Sequence, residues 1–195
     1  MTAFVPLFTN DRRRREEVGY QEENGIPKLD IGQVDDNSRD RIAAILKAAD
    51  RLELMIATAE SCTGGLLAAL LTDVEGVSHV FERGFVVYGK NAKCDLLGLE
   101  EEFVDECGEV SRAVAEEMAR GALHRSRAHL AVSITGFAGP GGEGDEEGLV
   151  HLALATREGA LLHREEHFGA IGRDGVRQAT IESALEMMEQ LLRGK

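Results

Sequence analysis

At 195 residues, 43% hydrophobic and 29% charged, the chain has enough apolar material for one compact domain with a sizeable core. Its 35 acidic against 22 basic residues give a formal net charge of -13, which repels polyphosphate backbones and anionic lipid and argues against general nucleic-acid or membrane-surface binding. The opening residues run from a short apolar stretch straight into charge, and no later run of about 18 apolar residues could span a bilayer, so a soluble, cytoplasmic protein is expected.

Residues 1–36 carry the mixed run Arg12 to Glu17 and no sustained period of 2 or 3.6, the pattern of a flexible N-terminal extension. The domain proper is expected over 37–195. Asp36-Asn37-Ser38 offers helix caps, and Ile42, Ile45, Leu46, Ala49 and Leu52 follow at helical spacing, predicting a helix over 38–51. Met55 to Ala59 reads as a buried strand, Glu60 to Gly65 as a tight turn, and Leu66 to Leu71 as a short apolar helix. A second strand covers about 80–88, and after Gly89-Lys90-Asn91 a helical turn over 92–97 carries Lys93.

Val110-Ser111 caps a helix whose Val114, Met118, Ala122 and Leu123 share one face, and Leu130 to Thr135 is a third apolar strand. The glycine-rich stretch 136–148 is a loop. Strands at 149–156 and 160–168 follow, joined by Glu158-Gly159 and so antiparallel, before a final helix over 174–192 with Val176, Ile181, Leu185, Met188 and Leu192 inward. This order predicts an α/β fold: a three-layer α/β/α sandwich around a mostly parallel mixed sheet of about five strands.

Cys62, Cys94 and Cys107 form no CxxC pair, so neither a disulfide framework nor a zinc site is indicated. His163 and His167 are four apart in a stretch that alternates like a strand, where that spacing builds no helical metal pair. No metal and no cofactor are expected.

Ligands of open α/β sheets bind beyond the carboxyl ends of strands, and Glu60–Gly65, Tyr88–Lys93 and Thr135–Gly144 each follow a strand directly. Ser61 sits between a strand and a Gly-Gly turn, with unpartnered N–H groups over Cys62 to Gly65 suited to an oxyanion or phosphate; equally, it could simply cap the helix. Serine needs a base, and no histidine-aspartate arrangement is recognisable. Lys93, flanked by Ala92 and Cys94, is the remaining candidate if it is desolvated, and an ordinary surface lysine otherwise. Tyr88 could pass a proton or orient Ser61. The loop 136–148, with six glycines in thirteen residues, lets backbone N–H groups approach an anion but lacks the spacing of a nucleotide triphosphate loop.

Taken in order over about 40–195, six segments resemble the nicotinamide-nucleotide amidase family, also seen as the C-terminal domain of CinA-type competence/damage-inducible proteins. They are Ala59-Glu60-Ser61-Cys62-Thr63-Gly64-Gly65, Arg83-Gly84-Phe85-Val86-Val87-Tyr88 with Ala92-Lys93, Leu97-Gly98, Gly108 with Val110-Ser111, Thr135-Gly136-Phe137-Ala138-Gly139-Pro140-Gly141-Gly142, and Ile171-Gly172-Arg173. The resemblance implies metal-independent hydrolysis of nicotinamide mononucleotide to nicotinate mononucleotide and ammonia, with Ser61 as nucleophile, Lys93 as base and Tyr88 as their helper. Thr63, Gly64, Gly65, Thr135, Gly136, Gly139 and Arg173 are the expected substrate contacts, and a homo-oligomer is the family expectation. The chain departs from the family's usual pattern at Gly89-Lys90, Asp145-Glu146-Glu147 and Ala170. Those departures leave two competing readings, a nucleotide-binding paralogue with little or no turnover and a serine hydrolase for another small substrate.

Overall fold

The computed structural model describes residues 21–23, 26–28, 36–142 and 144–194. The chain divides between Gln33 and Val34 into two units. Within the first, Gln21–Glu23 (β1) and Ile26–Lys28 (β2) pair antiparallel; apart from these and Asp36, the extension expected over 1–36 lies outside the described residues.

The second unit runs α1 (Asp36–Arg51), β3 (Ile56–Glu60), α2 (Leu66–Thr72), β4 (Phe81–Val86), α3 (Lys90–Leu97), α4 (Glu101–Cys107), α5 (Arg112–His124), β5 (Leu130–Gly136), β6 (Leu149–Thr156), β7 (Leu161–His167) and α6 (Gly172–Arg193). Its sheet has the order β4-β3-β5-β6-β7. The first three strands are mutually parallel, and β6 and β7 add antiparallel at one side, which is the α/β/α sandwich that the alternation of elements predicts.

The two faces of the sheet are built from different side chains. Ile56, Val132, Ile134, Val150, Leu152 and Leu154 project into a bulky core with α1, α2 and α6. The alternate positions Ala57, Ala59, Ala131, Ala153 and Ala155 face α5 and its neighbours. Alanines let α5 lie close, and Ser133 donates across the gap to the Ala115 carbonyl. α3 is drawn in the same way, since a Cβ at Gly121 of α5 would fall 2.5 Å from the Leu97 carbonyl. The helix carrying Lys93 thus packs tightly on the face that carries the site.

Local boundaries follow from caps. Ser111 Oγ accepts from Val114 N at the start of α5, as its position predicts. Leu52 lies beyond the end of α1 and is exposed, so it does not join the inward row of Ile42, Ile45, Leu46 and Ala49. α4 is an element that the periodicity does not announce. Its seven residues Glu101 to Cys107 bury only Val104, too few apolar positions to mark a period.

Candidate active site

Because β3, β4 and β5 run parallel, their carboxyl ends meet at one edge, and the chain stays clamped just past it. Ser61 N donates to the Ile134 carbonyl at 2.9 Å, and Val87 N donates to the Glu60 carbonyl at 2.8 Å. Ser61 is therefore held between both neighbouring strands at the first residue beyond β3.

The turn that follows differs from the sequence expectation in a telling way. Gly64 and Gly65 have φ of 64° and 94°, left-handed conformations that delay the helix to Leu66. Gly64 N is engaged by the Ser61 carbonyl at 3.0 Å. The first-turn donors belong to Leu67 and Ala68, and both are taken by the buried Glu60 carboxylate at 3.0 and 2.8 Å. Glu60 is the cap of α2, and Ser61 is released from that duty. Thr63 Oγ1 is buried and has no hydrogen-bond partner among the described residues, leaving an unused polar group one turn from Ser61.

Ser61 and Lys93 converge on a single atom. Ser61 Oγ reaches the Tyr88 carbonyl oxygen at 3.4 Å, and Lys93 Nζ reaches the same oxygen at 3.5 Å. Tyr88 meets both side chains through its main-chain carbonyl, while its own side chain is 65% exposed. Lys93 is the largest fully buried side chain of the molecule's described part, 1% exposed, which removes the surface-lysine alternative.

Its charge partner is a residue that the sequence reading passed over: Glu109 Oε2 lies 2.7 Å from Nζ. Glu109 is positioned through its backbone, whose carbonyl accepts from the Thr135 hydroxyl at 2.8 Å. Thr135 is fully buried, and its hydroxyl is spent on the backbone of the residue that pairs with Lys93. The only sequence signal was position, since Glu109 lies between the turn glycine Gly108 and the capping Ser111.

The remaining expected residues frame the same edge. Gly136 ends β5 opposite Val150, where a Cβ would fall 2.7 Å from the Leu149 carbonyl. The Arg173 guanidinium lies over Gly139, 3.0 Å from where a Cβ there would sit, so the two expected substrate contacts are neighbours. A second arginine, unremarked in the sequence, does more to shape the turn: Arg177 Nε donates to the Cys62 carbonyl at 2.9 Å. Cys62 itself turns away into the bulky core, and burial pushes its thiol up to about 12. Of the departures from the usual pattern, Lys90 is spent on Asp105 of α4 at 2.9 Å, and Asp145 closes its own loop by accepting from Gly142 N at 2.7 Å. Nothing in the structure gives Ala170 a role.

Residues 38–192 match the model of the CinA C-terminal domain family. The chain is 46% identical over 137 residues to the nicotinamide-nucleotide amidohydrolase PncC of Escherichia coli K12, a span of 69% of this chain and 82% of that protein. It is 48% identical over 143 residues to a CinA-like protein of Chlorobium phaeobacteroides, covering 71% of this chain but only 34% of that longer protein. Among solved structures, the competence/damage inducible protein CihA from Agrobacterium tumefaciens superposes with a TM-score of 0.79 at 47% identity, covering 83% of this chain and 99% of that one.

Proposed function

The chain belongs to the CinA C-terminal domain family, and from that premise we propose that it hydrolyses the carboxamide of nicotinamide mononucleotide to give nicotinate mononucleotide and ammonia. The observation that carries the reading is the convergence of Ser61 and the buried Lys93 on the Tyr88 carbonyl, with Glu109 behind the lysine. The relative with the PncC name, matched over four-fifths of its length, supplies the substrate.

In this mechanism Lys93 in its amine form takes the Ser61 proton as Oγ attacks the amide carbon. Glu109, bonded to Nζ at 2.7 Å, holds the lysine in position between the steps. The tetrahedral oxyanion is met by turn amides other than those of Gly64, Leu66, Leu67 and Ala68, which are already engaged. Collapse breaks the C–N bond, and the lysine ammonium returns the proton to the departing nitrogen, leaving an acyl-serine and ammonia. Water then attacks the ester with Lys93 again as base, releasing the carboxylate and regenerating Ser61. The net change is one amide and one water to one carboxylate and one ammonium. Arg173 and the glycine-rich loop suit the phosphate-bearing half of the substrate, and the buried Thr63 Oγ1, without a hydrogen-bond partner among the described residues, is a further candidate contact.

The test is ammonia release by the purified full chain from nicotinamide mononucleotide, beside nicotinamide, nicotinamide riboside and NAD. Turnover of the mononucleotide alone, abolished in Ser61→Ala, is the expected result. Binding of the mononucleotide without ammonia would replace the enzyme with a nucleotide-binding protein, and turnover of unrelated amides instead would replace the substrate.

A further inference from the structure

The register of the antiparallel margin gathers three metal-ligating side chains that lie apart in sequence. His151 of β6 is the partner of Glu165 on β7, and His163 precedes Glu165 by two residues and so shares its face. His151 Nδ1 lies 3.1 Å from His163 Nε2 and 3.7 Å from Glu165 Oε2. One ligand atom from each of the three falls within 4.8 Å of the others. His151 is buried, His163 half-buried and Glu165 exposed, so the group opens to solvent on one side only.

We propose that His151, His163 and Glu165 form a binding site for a divalent transition metal of the zinc class. Two imidazole nitrogens and a carboxylate oxygen are a common donor set for such ions. At bond lengths of about 2.0–2.2 Å, tetrahedral ligands stand roughly 3.3–3.6 Å apart, bracketed by the 3.1 and 3.7 Å separations from His151, with the His163–Glu165 separation within 4.8 Å. Water fills the fourth position from the open side. The outer layer is also in place: Glu165 Oε1 is bonded to His167 Nε2 at 2.9 Å, and His167 Nδ1 to Glu146 Oε1 at 2.7 Å. Ligating carboxylates are held by such second partners. Arg112 of α5, whose charge is felt at His163, is paired with Glu116 at 2.7 Å and so does not bar a cation. A plain hydrogen bond between the two histidines would need neither Glu165 nor His167. The metal takes no part in the proposed reaction; it pins the edge strand β7 to β6, beside the strand that carries Thr135.

The experiment titrates chelator-treated full-length protein with Zn2+ by calorimetry and with Co2+ by visible absorption. Expected are one equivalent bound, a cobalt spectrum of nitrogen and oxygen ligands without a thiolate charge-transfer band, and a melting temperature that rises with Zn2+. His163→Ala and Glu165→Gln should each weaken binding at least tenfold, while Cys94→Ser/Cys107→Ser leaves it intact. Circular dichroism shows whether the variants fold. Should His163→Ala fail to fold, Glu165→Gln, at an exposed side chain, carries the comparison. The proposal is overturned by absence of saturable binding in the wild type, by undiminished binding in Glu165→Gln, or by loss of binding in the cysteine variant.

Discussion

Lys93 and Glu109 form an ion pair of 2.7 Å in which one partner is shut from water and the other, 46% exposed, is open to it. Such asymmetry makes the carboxylate the accessible handle on a buried cation. Replacing Glu109 by glutamine keeps the shape and leaves the ammonium without its counter-charge. A destabilisation of about 1–3 kcal/mol is expected, less than for a fully buried pair because water reaches one side. Adding Lys93→Met to Glu109→Gln should return part of the lost melting temperature, since it removes the stranded charge. Equal melting temperatures for the wild type and Glu109→Gln would show that the pair contributes nothing to the fold. In activity, Glu109→Gln should lower kcat at least tenfold and change KM far less.

Lys93→Arg should be inactive although it preserves charge. A guanidinium does not give up its proton and so cannot serve as the base, and the Lys93 side chain it would replace is 1% exposed. Ammonia release by this variant near the wild-type rate would remove Lys93 from the base role.

The adjacent thiol should be a bystander. With its pKa pushed up to about 12 by burial, Cys62 stays in the thiol form at pH 7. Iodoacetamide at neutral pH should leave activity intact, and Cys62→Ala should cost stability through a small cavity rather than turnover. Both are read in one assay of residual activity against melting temperature.

Two arginines one helical turn apart should fail differently. Arg177 holds the Cys62 carbonyl, so Arg177→Ala should loosen the nucleophile turn and lower kcat. Exposed Arg173 leans on Gly139, and Arg173→Ala should raise KM with a smaller effect on kcat, as loss of uniform binding does. Steady-state kinetics on nicotinamide mononucleotide separate them, and the reverse pattern would exchange their roles.

Glu60→Ala removes a carboxylate that accepts from two helix amides. A loss of about 2–3 kcal/mol is expected from two unsatisfied buried donors, measurable by urea denaturation. A change below about 0.5 kcal/mol would mean that water replaces the cap.

What the sequence made legible was everything carried by local pattern. Apolar runs marked β3, β5 and β6, the 3.6-residue rows marked α1, α5 and α6, and three unusual segments after strands located one edge of the sheet. What escaped it depends on distance along the chain. Arg177 meets Cys62 across 115 residues, Glu109 meets Lys93 across sixteen, and His151 meets His163 only through strand register. The histidine spacing that does catch the eye, 163 and 167, joins neither ring to the other; each pairs elsewhere. Glu60 escaped for another reason, since its cap depends on the left-handed glycines that delay α2, a conformation that composition permits without specifying.

That Ser61 and Lys93 meet at the Tyr88 carbonyl has a consequence for how this region can drift under mutation. A main-chain oxygen is present whatever amino acid occupies position 88, so no single substitution there deletes the contact. Exchange of the tyrosine ring is free to tune what lies above the site while the meeting point persists. The vulnerable variable is chain length: inserting or deleting one residue between Val87 and Lys93 would rotate the carbonyl out of reach and swing the lysine about 100° around its helix. The stretch is thus tolerant of spelling and intolerant of spacing, and a one-residue deletion at Gly89 should do more harm than any replacement of Tyr88.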